Sequence, residues 1–154
     1  MNCYSILLLL IGMVLPSPEH QQHFVSVDES AIRIVRKGDG WIAGIPFQIH
    51  EPYHIQAVSG AQENVIPTTI TFENNEHLEI VQYEFTALQH DTVYLDEVPS
   101  KVLSGTFKVN VFFKVPGGNP AKVPPLNGSL AYQACNDRQC FFPRTLAFQA
   151  AVKE

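Results

Sequence analysis

The sequence is poor in the features that mark whole classes of function. Ten lysines and arginines stand against fifteen aspartates and glutamates, a net charge of -5, and the ten are dispersed. With no basic cluster there is no electrostatic footprint for nucleic acid or for an anionic membrane surface. No apolar run reaches the roughly 20 residues a spanning helix needs. The longest, Ile6 to Val14 with Leu15, is broken by Gly12 and stopped by Pro16-Ser17-Pro18. Its length suits the core of an export signal, so residues 1–17 are expected to be a signal peptide, although no Lys or Arg precedes the run. Also missing are a phosphate-binding glycine loop, a serine-histidine-aspartate order and a paired-carboxylate pattern; no cofactor is expected. Repeats, low-complexity tracts and linkers are absent as well, which leaves residues 24–154 as one domain.

Cysteine is scarce, and its placement is informative. Of three cysteines, Cys3 lies ahead of the apolar run and would leave with the signal. Cys135 and Cys140 remain, enclosing Asn136-Asp137-Arg138-Gln139. A disulfide stabilises chiefly by restricting the unfolded chain, by roughly 2 kcal/mol for a loop of about six residues against nearly 5 for about 100. So short a loop is a weak staple, and a working redox couple is the preferred reading over a local structural clip. Metal binding by the pair and a histidine is a third, poorer reading, because no second ligand pair occurs at zinc spacing.

The hydrophobic pattern is β throughout. Phe107, Val109, Val111, Phe113 and Val115 alternate with Thr106, Lys108, Asn110, Phe112 and Lys114, the period of a strand with one buried face. Ile45 to His50 and Thr69 to Glu73 alternate likewise. Leu130, Tyr132 and Ala134 share a face leading into Cys135, and Leu146, Phe148, Ala150 and Val152 form the last such face. Eleven prolines are scattered along the chain, and no segment after the signal has a sustained helical stripe. Short strands between turn residues predict an all-β, antiparallel sandwich, with a barrel as the alternative.

Three blocks, in order, carry a family resemblance. They are Tyr53-His54-Ile55-Gln56-Ala57, Ile66-Pro67-Thr68, and Tyr132-Gln133-Ala134-Cys135 with Cys140, Phe141 and Pro143 beyond it. Together they resemble the N-terminal periplasmic domain of the thiol:disulfide interchange protein DsbD, over roughly Phe24 to Glu154. The resemblance implies an immunoglobulin-like fold and a periplasmic, monomeric module. It would pass electrons from a membrane conductor to thioredoxin-like partners, with Cys135 and Cys140 as the redox pair. Cys140 would join the partner and Cys135 would resolve the mixed disulfide. Phe142 stands where the family has a first proline, and the cysteines are one residue closer than in many members. The family's membrane and thioredoxin-like domains have no counterpart here, so a separate membrane protein would have to supply electrons. The resemblance also implies a cap loop over the disulfide, for which His90–Glu97, containing Tyr94, is the candidate. The competing function is a non-catalytic binding or assembly module with a structural disulfide.

Individual residues keep plainer readings beside these. Arg138 would favour a thiolate and Asp137 would oppose it, unless the two pair with each other or face solvent. Tyr132 is read as core first and as a disulfide shield second. Of Phe141 and Phe142, one belongs in the core and the other on an apolar docking surface. His54 is a structural histidine or a proton carrier near the cysteines. His50 and His54 have metal spacing only on a helix, which Glu51-Pro52 opposes. Trp41 is expected to anchor the core, and Asn127-Gly128-Ser129 fits a glycosylation sequon.

Overall fold

The computed structural model describes residues 23–59, 65–86, 89–95, 97–117 and 123–151. The expected signal peptide and Val152 lie outside the described residues. Twelve strands follow one another: β1 (Val25–Val27), β2 (Arg33–Lys37), β3 (Gly40–Ile49), β4 (His54–Gln56), β5 (Thr69–Phe72), β6 (Glu79–Thr86), β7 (Gln89–Leu95), β8 (Val98–Ser104), β9 (Thr106–Lys114), β10 (Leu126–Tyr132), β11 (Ala134–Cys135) and β12 (Arg144–Ala150). One short 3-10 turn, Glu29–Ala31, follows β1, capped by Asp28 accepting from the Ser30 N–H at 2.9 Å. There is no α-helix among the described residues, and none long and apolar enough to cross a membrane.

Every strand pairing is antiparallel. The strands form a five-stranded sheet (β1-β3-β9-β6, with β2 also on β3), a three-stranded sheet (β12-β10-β5) and a four-stranded sheet (β11-β4-β8-β7). The protein is an all-β, immunoglobulin-like sandwich. Its core is the set of inward alternating positions: Phe107, Val109, Val111 and Phe113 of β9 against Ile45, Phe47 and Ile49 of β3, all at most 1% exposed. Phe47 stacks on Phe107 at 5.1 Å and meets Phe148 edge-on at 5.8 Å, which ties the five-stranded sheet to β12. Such aromatic pairs add to the burial of their large apolar area.

Trp41 departs from expectation. It lies one residue into β3, opposite Phe113, and is only half-buried, packed on the margin of the core. The cause is position: the strand end lies at the rim, and the core's centre is held by phenylalanines. Asn127 lies inside β10, the central strand of its sheet, with its Nδ2 donating to Glu73 at 3.1 Å.

The four-stranded sheet places the cysteines. After Tyr132 the chain leaves the three-stranded sheet; Gln133 interrupts it, and Ala134-Cys135 joins β4 instead. Side chains alternate across a strand, so Ile55, Leu103 and Ala134 enter the core while their neighbours take the opposite face. That opposite face carries Cys135, His54, Gln56, Val102 and Ser100, and it too is buried.

Candidate redox site

Cys135 and Cys140 form a disulfide with Cα atoms 3.9 Å apart. The two ends differ: Cys135 is 0% exposed, whereas Cys140 lies at the surface. Asn136 shapes the loop between them. Its Oδ1 accepts from the backbone N–H groups of Arg138 at 3.0 Å and Gln139 at 2.9 Å, and its own N–H donates to the Gln139 carbonyl at 2.9 Å. This is the local side-chain-to-backbone bonding that lets asparagine hold a turn. The return strand is fixed by the Phe141 N–H donating to the Ala134 carbonyl at 2.8 Å.

The three sequence blocks converge on this loop. Gln133 donates through Nε2 to the Phe141 carbonyl at 3.2 Å and accepts at Oε1 from the Ile66 N–H at 2.9 Å. Thr68 Oγ1 donates to the Gln56 carbonyl at 2.5 Å, and the Gln56 N–H donates to the Gln133 carbonyl at 3.2 Å. At the centre, the Gln56 amide is fully buried: Oε1 accepts from Ser100 Oγ at 3.2 Å, and Nε2 donates to Cys135 Sγ at 3.4 Å. Gln56, Ser100, Asn136 and Gln133 were not identified as site residues from sequence. Gln56 was legible in principle, since period two puts it on the face of His54.

His54 is the direct cross-strand partner of Cys135. It is 8% exposed, and its Nε2 has no hydrogen-bond partner among the described residues. Burial holds the imidazole below its ordinary pKa of 6.5, against the opposing charges of Asp137 and Asp91. Asp91, on β7, accepts a hydrogen bond from Ser104. His50 and His54 are separated by a turn in which the Tyr53 N–H donates to the His50 carbonyl at 2.9 Å. They do not share a helix face.

The remaining candidates divide cleanly. Phe141 is half-buried, 4.6 Å from the Phe24 ring and 5.7 Å from Tyr53, and the Arg144 guanidinium lies 5.5 Å over Phe24. Phe142 is 90% exposed. Tyr132 is 4% exposed within the main core, and burial raises its phenol above the ordinary 10.0. Asp137 and Arg138 are both exposed. Tyr94 lies opposite Pro99 toward the turn of the β7–β8 hairpin and is 73% exposed. Of the segment 90–97, Asp91 is the residue whose charge acts on His54.

No family model matches the sequence, and no curated protein sequence matches it. The fold has a clear counterpart in the N-terminal periplasmic domain of ScsB from Proteus mirabilis. That structure aligns with a TM-score of 0.58 and 9% identity over 88% of this chain. The chain has the fold of that N-terminal periplasmic domain. It spans about half of the ScsB chain it matches, 49%. The reduced N-terminal domain of Neisseria meningitidis DsbD is also similar, with 15% identity, a TM-score of 0.47, and 82% of this chain and 89% of that one covered.

The buried histidine of this fold gives a prediction for stability. An unfolded chain protonates His54 near its ordinary pKa, while the folded protein, with a lowered value, resists. As pH falls below about 6.5 the unfolded state binds more protons, so stability is lost on acidification. Urea titrations from about pH 7.5 down to 5.5 should show this slope in the native protein and a shallower one in His54→Gln. Equal slopes would place the acid sensitivity elsewhere.

Proposed function

We propose that this chain is a periplasmic thiol-disulfide exchange module, passing electrons between a membrane reductant conductor and thioredoxin-like partners through Cys135 and Cys140. The observation that carries the proposal is the asymmetry of the pair. Cys140 is exposed for attack, while Cys135 is buried and receives a buried amide hydrogen bond from Gln56. A structural clip has no need of a donor aimed at one of its sulfurs.

The cycle is two successive exchanges. A partner thiolate attacks Cys140 Sγ, the Cys135–Cys140 bond breaks, and Cys135 leaves as the thiolate that Gln56 Nε2 faces. Cys135 is protonated, a second donor thiol reduces the mixed disulfide, and the module holds two thiols. In the forward direction the Cys140 thiolate attacks a partner disulfide. Cys135 then attacks Cys140, and two electrons leave with the partner. The strand setting offers no helix N-terminus to activate Cys140, which favours slow, partner-gated exchange over general reductase activity.

The reduction potential of the pair tests the proposal, by equilibration in dithiothreitol or glutathione buffers with thiol trapping. Exchange proteins lie at about -120 to -270 mV, structural disulfides generally below about -300 mV. We expect a value in the first range. A value far below -300 mV would make the bond a clip and the protein a binding or assembly module.

A further inference from the structure

In the dithiol form Cys135 has a proton to lose and is buried away from bulk solvent. Its sulfur is fully buried, and a low-dielectric surround penalises the thiolate and holds the thiol protonated. Yet thiol-disulfide exchange proceeds through the thiolate. Among the described residues, the imidazole facing Cys135 across β4 and β11 belongs to His54. Cβ atoms of such pairs lie about 4.5–5.5 Å apart. The His54 Nε2 is buried without a partner among the described residues, in a fold where buried polar atoms are generally matched.

The oxidised state accounts for that unmatched nitrogen. In the disulfide Cys135 carries no proton to donate; in the dithiol it does. We infer that His54 takes the Cys135 proton when the mixed disulfide is resolved and delivers one to Cys135 when the disulfide is reduced, while Gln56 Nε2 holds the charged sulfur. The inference rests on the redox reading of the pair. Each step balances. In resolution the proton moves from Cys135 Sγ to His54 Nε2, the Cys135 thiolate attacks Cys140 Sγ, the bond from Cys140 to the partner breaks, and the partner departs as thiolate with the electron pair. In reduction an incoming thiolate forms a bond to Cys140, Cys135 leaves as thiolate, and His54 takes up a proton from solvent and passes it to that thiolate. A neutral imidazole can begin the first step, and burial keeps this one neutral at physiological pH. The carboxylates acting on His54, Asp137 from the disulfide loop and Asp91 from β7, favour the imidazolium that follows.

Stopped-flow reaction of the reduced full chain with 5,5′-dithiobis(2-nitrobenzoate) separates the steps. Exposed Cys140 releases the first chromophore and Cys135 the second, on resolving the mixed disulfide. In His54→Gln the second phase should slow by on the order of a hundredfold at neutral pH. It should regain speed only above about pH 8.5, where an unassisted thiol ionises. A native protein that resolves, with His54→Gln matching its rate and pH profile, overturns the inference and leaves the redox reading standing. A native protein that shows no second phase overturns both. The native chain offers a second readout that needs no variant: the His54 ring resonances. Proton coupling to Cys135 predicts different titrations of the ring in reduced and oxidised protein; identical curves overturn the assignment.

Discussion

Replacing Cys135 with serine should make a mixed disulfide with a thioredoxin-like partner accumulate, and replacing Cys140 should abolish it. The buried sulfur of Cys135 cannot be approached in line by another protein's disulfide, whereas Cys140 lies at the surface. In the proposed exchange Cys140 is therefore the attacking thiol, and its adduct should persist when nothing behind it can resolve it. Serine in place of Cys135 retains a group able to accept from Gln56 Nε2, so the amide is not stranded and the fold should survive. The measurement is non-reducing electrophoresis after mixing each reduced variant with an oxidised thioredoxin-like protein. The expected contrast is near-complete trapping against none. Equal trapping by both variants would overturn the division of roles.

Much of the architecture was legible because one physical rule governs it. Period-two alternation in Thr106–Lys114 and Ile45–Ile49 identified β9, β3 and their inward faces, since a strand buried on one side must alternate. The site was legible only in part. Cysteine spacing identified the loop, but no local signal told which sulfur is buried. That depends on the strand switching sheets at Gln133, a tertiary event. Trp41 was misplaced for a related reason: size and apolarity say that a residue wants burial, while its place at the strand end sets how much it gets. Gln56 escaped notice because glutamine is mostly a surface residue. Only the pairing of β4 with β11 shows its amide facing a sulfur.

The blocks at Tyr53–Ala57, Ile66–Thr68 and Tyr132–Cys140 are each weak as sequence. In the folded chain they are joined by hydrogen bonds from Ile66 to Gln133, from Thr68 to Gln56, and from Gln56 to both Gln133 and Cys135. The residues of the blocks hold one another rather than serving separate elements. Most of these polar groups are matched within the set, and the unmatched exception, His54 Nε2, belongs to the cross-strand partner of Cys135.

Phe24→Ala should produce the largest loss of stability around the site, and it should unsettle the disulfide as well. The Phe24 ring is 0% exposed and lies 4.8 Å from Tyr53, 4.6 Å from Phe141 and 5.5 Å from the Arg144 guanidinium. Removing a buried phenylalanine costs about 3–5 kcal/mol through lost transfer energy and the cavity left behind. In a domain of this size that lowers Tm by on the order of 10 °C. Phe141 directly follows Cys140, so the same cavity loosens the exposed end of the pair, and dithiothreitol should reduce it faster. Phe142→Ala is the matched control. Its ring is 90% exposed, and its loss should change stability by less than about 0.5 kcal/mol. If Phe142 forms part of the partner-docking surface, its truncation should instead slow mixed-disulfide formation. Calorimetry and reduction kinetics on the two variants separate support of the loop from recognition by it. A Phe24→Ala protein that melts with the native one would show that the disulfide loop stands without its aromatic base.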